Sequence, residues 1–385
     1  MPGARRIARE QVLAFRLAGH NLVARRPVGE LVDAAAACGI RNTPPGSAVL
    51  ALHARVADLT PAAVERAIAE DRALVEVLGM RISPHVVPAR DAVVFTLGAL
   101  PSDEDSLRAT LRNIVAGLDE AGISMVQAVE LAAEAARVEL AAGGLARSAL
   151  SAALSRRLPA SLSRWCAPCR SQHIGESLFR LIGVRGVFVI SRAGKDNLYL
   201  RAGDLLGTAS DGDRVAARAE LLRRYLRCFG PSTANDFAAW VGISNAEARR
   251  DWDRIADRLI EIELEGRRVW LHADDLACLE NPPQPEGVRL LPPYDAYLDQ
   301  RDRATLLPDK LLHRRVWATL GNPGVVLASG EIVGLWRPRK TGRRLVVAVE
   351  AFTPLSPPVR AAIEAEAALL APLRNCTAAA VTFAD

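Results

Sequence analysis

Two cysteines and one histidine lie close enough in the sequence to share a metal ion. The run 165–173 reads WCAPCRSQH, so Cys169 follows Cys166 by three positions and His173 follows by a further four. Thiolates and imidazoles at such spacings are typical zinc ligands, but no fourth ligand lies nearby in the sequence. We therefore treat Cys166, Cys169 and His173 as candidate metal ligands, and favour buried structural cysteines in a helix-loop region over a metal site or a redox pair. No cofactor is expected.

A second group of residues is cationic and suited to phosphate. Three arginines lie among apolar residues that recur at helical spacing, two lie at a ribbon turn, and five basic residues flank Thr341-Gly342 with no acid between them. Neutralising a nucleic-acid backbone requires clustered cations of this kind, whereas solvated surface arginines are the ordinary alternative. The predicted DNA-binding residues are Arg249, Arg250, Arg254, Arg267, Arg268, Arg337, Arg339, Lys340, Arg343 and Arg344.

The first five of these arginines belong to the segment 214–271, which we interpret as a winged helix. A first helix ends at Gly230-Pro231, because proline cannot continue it. A second helix follows, and the third begins at Ser244, which forms the pattern of a capping box with Glu247. Alternating apolar and acidic residues then predict a two-stranded ribbon that turns at Glu265-Gly266. Winged helices that contact DNA place basic residues on these elements, although others bind proteins.

The same plan recurs twice upstream. Residues 1–98 and 99–207 each contain helices followed by a two-stranded ribbon, and all three ribbons precede a short Ala-x-Asp run. Such repetition indicates tandem copies of one supersecondary unit. The predicted helices are 8–22, 47–56, one starting at Thr60-Pro61, 105–120, 124–142 and 148–158. The predicted ribbons are 74–80 with 81–87, and 186–190 with 198–200, which turns at 193–197. The Ala-x-Asp runs are 89–91, 202–204 and 273–275.

The chain changes character at a proline-rich linker, residues 281–285. Beyond it, apolar runs separated by turns at Gly330 and Thr341-Gly342 predict hairpins. The predicted strands are 288–291, 324–328, 331–337 and 343–352, and the predicted helices are 309–319 and 357–370. The predicted fold class is α+β, with tandem winged-helix (helix-turn-helix plus β-ribbon) domains and a C-terminal β-rich domain. The domain boundaries are 1–98, 99–207, 208–280 and 281–385.

Composition limits the class of protein. The chain has 385 residues, half of them hydrophobic, but no apolar run approaches the length that crosses a bilayer, and the start MPGARRIARE lacks a secretory apolar core. We therefore expect a cytoplasmic, nucleoid-associated protein without a membrane partner. Lys plus Arg number 49 against 44 Asp plus Glu, so a polyanion site must come from local clustering. The six cysteines are scattered and do not resemble a secreted disulfide framework.

Several segments together carry a family resemblance. They are LALHAR at 50–55, RISPHVVP at 81–88, LLPPYDAYL at 290–298 with Arg301-Asp302-Arg303, the run 325–336, and AFTPL at 351–355. These segments resemble the winged-helix family that includes the AlkZ and YcaQ-type DNA glycosylases, and they span nearly the whole chain. The resemblance implies three winged helices that scaffold a concave channel for duplex DNA, and a monomer. Characterised members remove bulky alkylated bases and unhook interstrand crosslinks, some as self-resistance factors.

The resemblance also implies where catalysis would occur. The family carries Gln-x-Gln or Gln-x-Asp before the helix that contains Leu-Ala-Leu, and this sequence has Arg41-Asn42-Thr43 there. An arginine stays protonated and cannot take a proton from water, so Arg41 is better suited to gripping a phosphate. Thr43 could position a water, or only cap a helix. His85 lies on the first ribbon and could assist the reaction, or serve as a structural hydrogen-bond donor.

Two functions follow from these observations. One is a DNA glycosylase that excises bulky alkylated bases or unhooks crosslinks, with Thr43, Arg41 and His85 as the candidate catalytic residues. The other is a non-catalytic DNA-binding protein, such as a lesion shield or a transcriptional regulator, in which Arg41 holds phosphate. Double-stranded DNA is the expected partner in both.

Overall fold

The chain forms two compact units, and each is discontinuous in sequence. The computed structural model describes residues 5–192, 197–207, 212–318 and 321–384. The first unit comprises Met1–Ala67, Arg223–Thr233 and Asp257–Asp385, and the second comprises Ile68–Leu222 and Ala234–Ala256. The four domains predicted from the sequence stay a prediction. Most of the turn predicted at 193–197 lies outside the described residues.

The first unit contains short helices and two sheets. Its α-helices are Arg9–Gly19, Leu31–Ala36, Ser47–His53, Pro61–Glu65, Leu276–Glu280, Arg303–Leu306, His313–Val316 and Pro357–Leu373. Its strands are Arg5–Arg6, Ile40–Arg41, Leu259–Leu264, Arg267–His272, Val288–Leu291, Gly324–Ala328, Glu331–Thr341, Arg344–Ala351 and Ala378–Ala384.

The larger sheet of the first unit confirms the predicted β-rich C-terminal region. Its five strands run in chain order from Val288–Leu291 to Ala378–Ala384, and the first four pair antiparallel. The last strand pairs parallel with Arg344–Ala351, which requires a crossover. Helix Pro357–Leu373 provides that crossover and buries Ile363, Ala367 and Leu370 in a core with residues of the sheet.

The smaller sheet of the first unit contains the ribbon predicted around Glu265-Gly266. Strands Leu259–Leu264 and Arg267–His272 pair antiparallel, and both turn residues have positive φ, 49° and 74°. The apolar residues of the ribbon pack with Val12 and Phe15 of the first helix. The alternation of apolar and acidic residues therefore identified the buried face correctly.

The second unit consists mostly of helices and also contains short strands. Its α-helices are Ala92–Phe95, Glu104–Leu111, Val115–Glu120, Met125–Glu139, Arg147–Arg157, Glu176–Val184, Ala202–Leu206, Ala234–Val241 and Asn245–Asp253. Its strands are Leu74–Leu78, Pro84–Pro88, Leu145–Ala146, Ser163–Cys166, Ser171–Ile174, Phe188–Ser191 and Leu198–Arg201. Two hairpins of this unit join edge to edge through Glu76 and Ile190. A separate hairpin is formed by Ser163–Cys166 and Ser171–Ile174.

The repeated ribbon with its Ala-x-Asp run is present at each predicted position. Antiparallel hairpins end at Pro88, Arg201 and His272, and short helices begin at Ala89, Ala202 and Ala273 directly afterwards. Helix Arg214–Phe229, which passes from the second unit into the first, ends at the residue before Gly230-Pro231 as predicted. The assembly of these elements into three winged helices stays a prediction.

Two local expectations are wrong, and one strand was missed. The predicted helix 105–120 is two helices, Glu104–Leu111 and Val115–Glu120. The predicted helix 309–319 is only a short 3-10 turn, Lys310–Leu312, followed by His313–Val316. The strand Ala378–Ala384 was not predicted.

The capping box at Ser244 is half correct. The Ser244 hydroxyl accepts from the backbone N–H of Glu247 at 3.0 Å, but the backbone N–H of Ser244 donates to the hydroxyl of Ser106. The Glu247 carboxylate is buried and accepts from the hydroxyls of Ser102 and Ser106, both at 2.7 Å. Glu247 thus fixes the start of another helix in the same unit, because a buried carboxylate requires several donors.

Within the described residues, no helix combines the length and the apolar character needed to cross a bilayer.

Candidate active site

The loop that carries Arg41-Asn42-Thr43 is fixed by its middle residue. Asn42 is 5% exposed, and its Oδ1 accepts from the backbone N–H of Gly46 at 2.9 Å and of Ala48 at 3.3 Å. These amides belong to the start of helix Ser47–His53, whose first N–H groups have no partner within the helix. Asn42 therefore caps this helix and holds the loop in place.

Arg41 is held on two sides by the first unit. Its guanidinium lies 3.5 Å from a carboxylate oxygen of Asp299 and 5.2 Å from the centre of the Tyr294 ring. The side chains of Arg41 and Asp299 are 16% and 18% exposed, so both are reachable from solvent. A planar guanidinium is suited to pairing with a carboxylate at its edge and an aromatic ring at its face. The site thus contains a carboxylate that sequence reasoning missed.

The segment 294–299 that provides Tyr294 and Asp299 is itself anchored by a buried ion pair. Asp295 pairs with Arg55 at 2.7 Å, and the two side chains are 0% and 1% exposed. Asp295 also accepts from the backbone N–H of Tyr297 at 3.0 Å, at the start of the 3-10 helix Ala296–Asp299. One short segment therefore fixes both Arg55 and Arg41.

Thr43 remains available for an external hydrogen bond. Its side chain is half-buried, and its hydroxyl has no hydrogen-bond partner within the described residues. A hydroxyl both donates and accepts, so Thr43 could orient a water or a substrate oxygen.

His85 lies in the second unit, on strand Pro84–Pro88 opposite Val77. It is 5% exposed, and its Nδ1 lies 2.8 Å from the carbonyl oxygen of Ser83. A carbonyl only accepts, so the ring carries a proton on Nδ1. This bond matches the structural role that was the alternative for His85. Arg41 and Thr43 lie in the first unit.

The basic hairpin of the first unit presents its predicted DNA-binding residues to solvent. All five cations between Arg337 and Arg344 are exposed. Arg337 and Lys340 donate to backbone carbonyls, whereas Arg339, Arg343 and Arg344 form no ion pair in the described part of the chain. Arg267 and Arg268 are also exposed, and Arg268 lies 3.5 Å from Glu261. Exposed cations without acidic partners remain free to bind phosphate.

The arginines of helix Asn245–Asp253 are exposed but partly neutralised. Arg250 pairs with Asp103 at 2.7 Å, and Arg254, just after the helix, pairs with Asp251. Asp251 in turn contacts the buried Arg218, and burial raises the pKa of this carboxyl despite that partner. Arg249 is exposed as predicted.

The residues Cys166, Cys169 and His173 come together on a β-hairpin of the second unit. Their ligand atoms all lie within 4.8 Å of one another. The expected helix-loop region with buried cysteines is wrong, because strands Ser163–Cys166 and Ser171–Ile174 pair here and Cys169 is exposed. The backbone N–H of Cys169 and the ring of His173 lower the pKa of the Cys166 thiol to about 7. This environment favours the thiolate, which is the form that binds metals.

A second group of similar residues was missed from the sequence. His20, Cys38 and Cys228 lie within 4.8 Å of one another in the first unit, and all three are buried. A hydrogen bond with Cys228, together with burial, raises the pKa of the Cys38 thiol well above its usual value. Cys228 is 190 positions from Cys38 in the sequence, so no local spacing could have indicated the group.

Comparisons with known proteins agree with the family resemblance. A family model described as DNA glycosylase AlkZ-like matches residues 34–373. An interstrand DNA cross-link repair glycosylase of Streptomyces sahachiroi is 29% identical over 131 residues, which is 31% of this chain and only 34% of that relative. The solved structure of Streptomyces sahachiroi DNA glycosylase AlkZ has a TM-score of 0.77 at 21% identity, and the match covers 98% of this chain and 100% of that one. The chain belongs to the AlkZ-like DNA glycosylase family.

Proposed function

We propose that the protein binds duplex DNA and hydrolyses the N-glycosidic bond of a bulky alkylated or crosslinked base, with Asp299 as the group that accepts a proton from the attacking water. One observation carries this proposal. A partly exposed carboxylate lies 3.5 Å from Arg41, the residue that occupies the position of the family's first catalytic glutamine. Thr43, two residues further on, offers its hydroxyl to the same water.

The reaction explains why a carboxylate suits this position. The bond from the sugar carbon to the base breaks as water attacks, and positive charge grows on the sugar. Arg41 alone would repel that charge, whereas the carboxylate of Asp299 stabilises it and orients the water. An alkylated purine that is already cationic leaves readily with the bonding electron pair, so the site needs only modest basicity.

His85 is proposed only as an assisting group. Its Nδ1 donates to the Ser83 carbonyl at 2.8 Å, and this hydrogen bond fixes the orientation of the ring.

DNA binding is proposed to depend on the exposed cations in a set of tandem winged helices. The hairpin from Arg337 to Arg344 contributes most, because three of its arginines have no acidic partner within the described residues. Arg267 and Arg268 on the other ribbon add two exposed cations, and Arg249, Arg250 and Arg254 contribute from the second unit. Each phosphate contact releases condensed counterions, so duplex affinity should fall steeply as salt rises.

A non-catalytic DNA-binding function is the second candidate. Two observations favour it: Arg41 cannot act as a base, and the side-chain oxygen of Asn42 already accepts two backbone N–H groups. In that case, the duplex phosphate displaces Asp299 as the partner of Arg41.

A base-release assay separates the two functions. Duplex DNA carrying a bulky N7-alkylguanine or an interstrand crosslink is incubated with excess wild type, Asp299→Asn, Thr43→Ala, and the control Asp274→Asn at an exposed carboxylate. We expect wild type and control to release base, Asp299→Asn to be slower by about 100-fold or more, and Thr43→Ala by about 10-fold, with duplex affinity retained.

The contrary results are equally clear. If wild type binds the duplexes with salt-dependent affinity but releases no base from either, the protein is a binder. If Asp299→Asn releases base at the wild-type rate, Asp299 is not the proton acceptor.

A further inference from the structure

We infer that Cys166, Cys169 and His173 bind a Zn²⁺ ion whose fourth coordination position opens into the neighbouring cavity. The three ligand atoms lie within 4.8 Å of one another on one hairpin. Zinc bonds of about 2.3 Å to sulfur and about 2.1 Å to nitrogen place tetrahedral ligands about 3.5–3.8 Å apart. Small side-chain rotations therefore suffice to close the three residues around an ion.

The turn between the two cysteines places an amide donor at the sulfur of Cys166. Cys166 ends the first strand, and Arg170, directly after Cys169, has a positive φ of 49°. The backbone N–H of Cys169 donates to the sulfur of Cys166. Amide donors of this kind stabilise thiolate ligands, because they compensate the negative charge on the sulfur.

The imidazole is oriented independently for metal binding. Nδ1 of His173 lies 3.0 Å from the carbonyl oxygen of Ile174, to which it must donate. The other ring nitrogen, Nε2, is then the atom whose lone pair is available to a metal ion. Metal-binding histidines commonly have a carbonyl or carboxylate on the second nitrogen in this way, which fixes the tautomer and the ring plane.

The fourth position is open to a cationic cavity. Among the described residues, no further histidine, cysteine or carboxylate joins the group of three. A cavity of about 1170 Å³ adjoins the three ligands, and its lining includes Arg147, Arg156 and Arg164. A water or an anionic oxygen would complete the coordination there, since zinc with three protein ligands keeps an exchangeable position.

The hairpin itself gains from such an ion. Within the described residues, its two strands form a separate two-stranded sheet with four residue pairs. An isolated two-stranded hairpin is marginally stable in water, so a metal that joins Cys166 and Cys169 to His173 on the opposite strand would hold the ribbon closed.

The buried group His20, Cys38 and Cys228 does not fit an ion in the same way. The ring of His20 is packed against the edges of Phe229 and Tyr297, at centroid distances of 4.9 and 5.5 Å. The sulfur of Cys228 donates to the Gly19 carbonyl, and Cys38 lies 3.6 Å from Nδ1 of His20. Nδ1 of His20 and both sulfurs already have partners within a packed core, whereas Nε2 of His20 is buried without one among the described residues. The group serves as the matched control.

The test measures zinc by mass spectrometry after the full-length protein is reduced, loaded with Zn²⁺ and desalted. Wild type is compared with Cys166→Ser, Cys169→Ser and His173→Gln, and with the controls Cys38→Ser and Cys278→Ser. We expect about one zinc per chain in wild type and both controls, and loss of zinc in Cys166→Ser and Cys169→Ser. His173→Gln should weaken zinc binding at least 10-fold, measured by competition with a chromogenic chelator.

Cobalt provides a readout that does not depend on stability. Wild type loaded with Co²⁺ should show a thiolate-to-metal charge-transfer band and tetrahedral visible bands, both absent from Cys166→Ser with an unchanged circular dichroism spectrum. The inference is overturned if reduced wild type takes up no zinc, if Cys166→Ser and Cys169→Ser retain it, or if Cys38→Ser loses it. A protein that forms a Cys166–Cys169 disulfide and takes up no metal after reduction has a redox pair instead.

Discussion

The segment 294–299 holds two arginine–carboxylate pairs that differ in burial and distance. Arg55 and Asp295 lie 2.7 Å apart with 1% and 0% of their side chains exposed. Asp299 lies four residues after Asp295 on the same segment. It is 3.5 Å from Arg41, and the side chains of Arg41 and Asp299 are 16% and 18% exposed. The first pair is desolvated and bidentate, whereas the second is looser and open to solvent.

This difference suits the two pairs to different roles: the buried pair anchors the segment, and the partly exposed pair is available for the proposed reaction. Opening a buried pair leaves an uncompensated charge, so Arg55 and Asp295 stay together and fix the segment. A partly exposed pair loses little when water or a substrate replaces one partner. The rigid pair therefore positions the exchangeable one, which is the arrangement that a catalytic carboxylate requires.

The largest expected effect comes from breaking the buried pair. Asp295→Ala leaves Arg55 charged and unpaired, and should lower the free energy of unfolding by about 3–5 kcal/mol. Urea denaturation followed by circular dichroism measures this change. The double variant Arg55→Met with Asp295→Leu removes both charges and should recover most of the stability. A loss below about 1 kcal/mol in Asp295→Ala would contradict an anchoring role.

A buried histidine gives the next largest effect, as a dependence of stability on pH. Burial, and then the nearby Arg25, lower the pKa of His53 from 6.5 to about 4, while Glu366 acts in the opposite direction. The unfolded chain therefore binds more protons than the folded one between pH 6.5 and pH 4. Stability should fall by about 3 kcal/mol as the pH decreases through this window. In His53→Leu the slope of unfolding free energy against pH should become smaller, and an unchanged slope would contradict this assignment.

Local patterns in the sequence predicted much of the fold. The ribbon alternates apolar and acidic residues and turns at Glu265-Gly266, where the glycine tolerates a positive φ. Both strands, and the face of the ribbon that is buried, could therefore be predicted. The strand Ala378–Ala384 reads AAAVTFA, in which only Val381, Thr382 and Phe383 favour a strand and the four alanines do not. Its pairing with Arg344–Ala351 imposes the strand, and such tertiary pairing is not visible in a local window.

The candidate sites also differ in whether local sequence could reveal them. Cys166, Cys169 and His173 are close in sequence, so their spacing identified them, although not the hairpin that carries them. Asp299 lies 258 positions from Arg41, so only the folded chain brings the carboxylate to the catalytic loop. Glu247 matched the capping pattern, but its burial with Ser102 and Ser106 has no local signature.

The predicted DNA-binding arginines likewise differ in whether they have an acidic partner. Arg343 and Arg344 have no acidic partner in the described part of the chain, whereas Arg250 is paired with Asp103. The double change Arg343→Ala with Arg344→Ala should lower duplex affinity about 10-fold. The slope of log binding constant against log salt concentration should become shallower by about 1 for each cation removed. Arg250→Ala should have a smaller effect, because its charge is already partly neutralised. Fluorescence anisotropy at several salt concentrations measures both, and equal effects would contradict the distinction.

The smallest expected change in stability belongs to the pair on which the proposed chemistry depends. Asp299→Asn keeps the size of the side chain, and the pair it weakens is longer and more exposed than the Arg55–Asp295 pair, so the free energy of unfolding should change by only about 1 kcal/mol. The same variant should lose most base release, since Asp299 is the proposed proton acceptor and its carboxylate lies 3.5 Å from Arg41. If Asp299→Asn unfolds as readily as Asp295→Ala, both carboxylates are anchors, and the loss of activity would no longer identify Asp299 as the proton acceptor. Urea denaturation of the two variants side by side therefore decides whether Asp295 stabilises the segment while Asp299 serves the reaction.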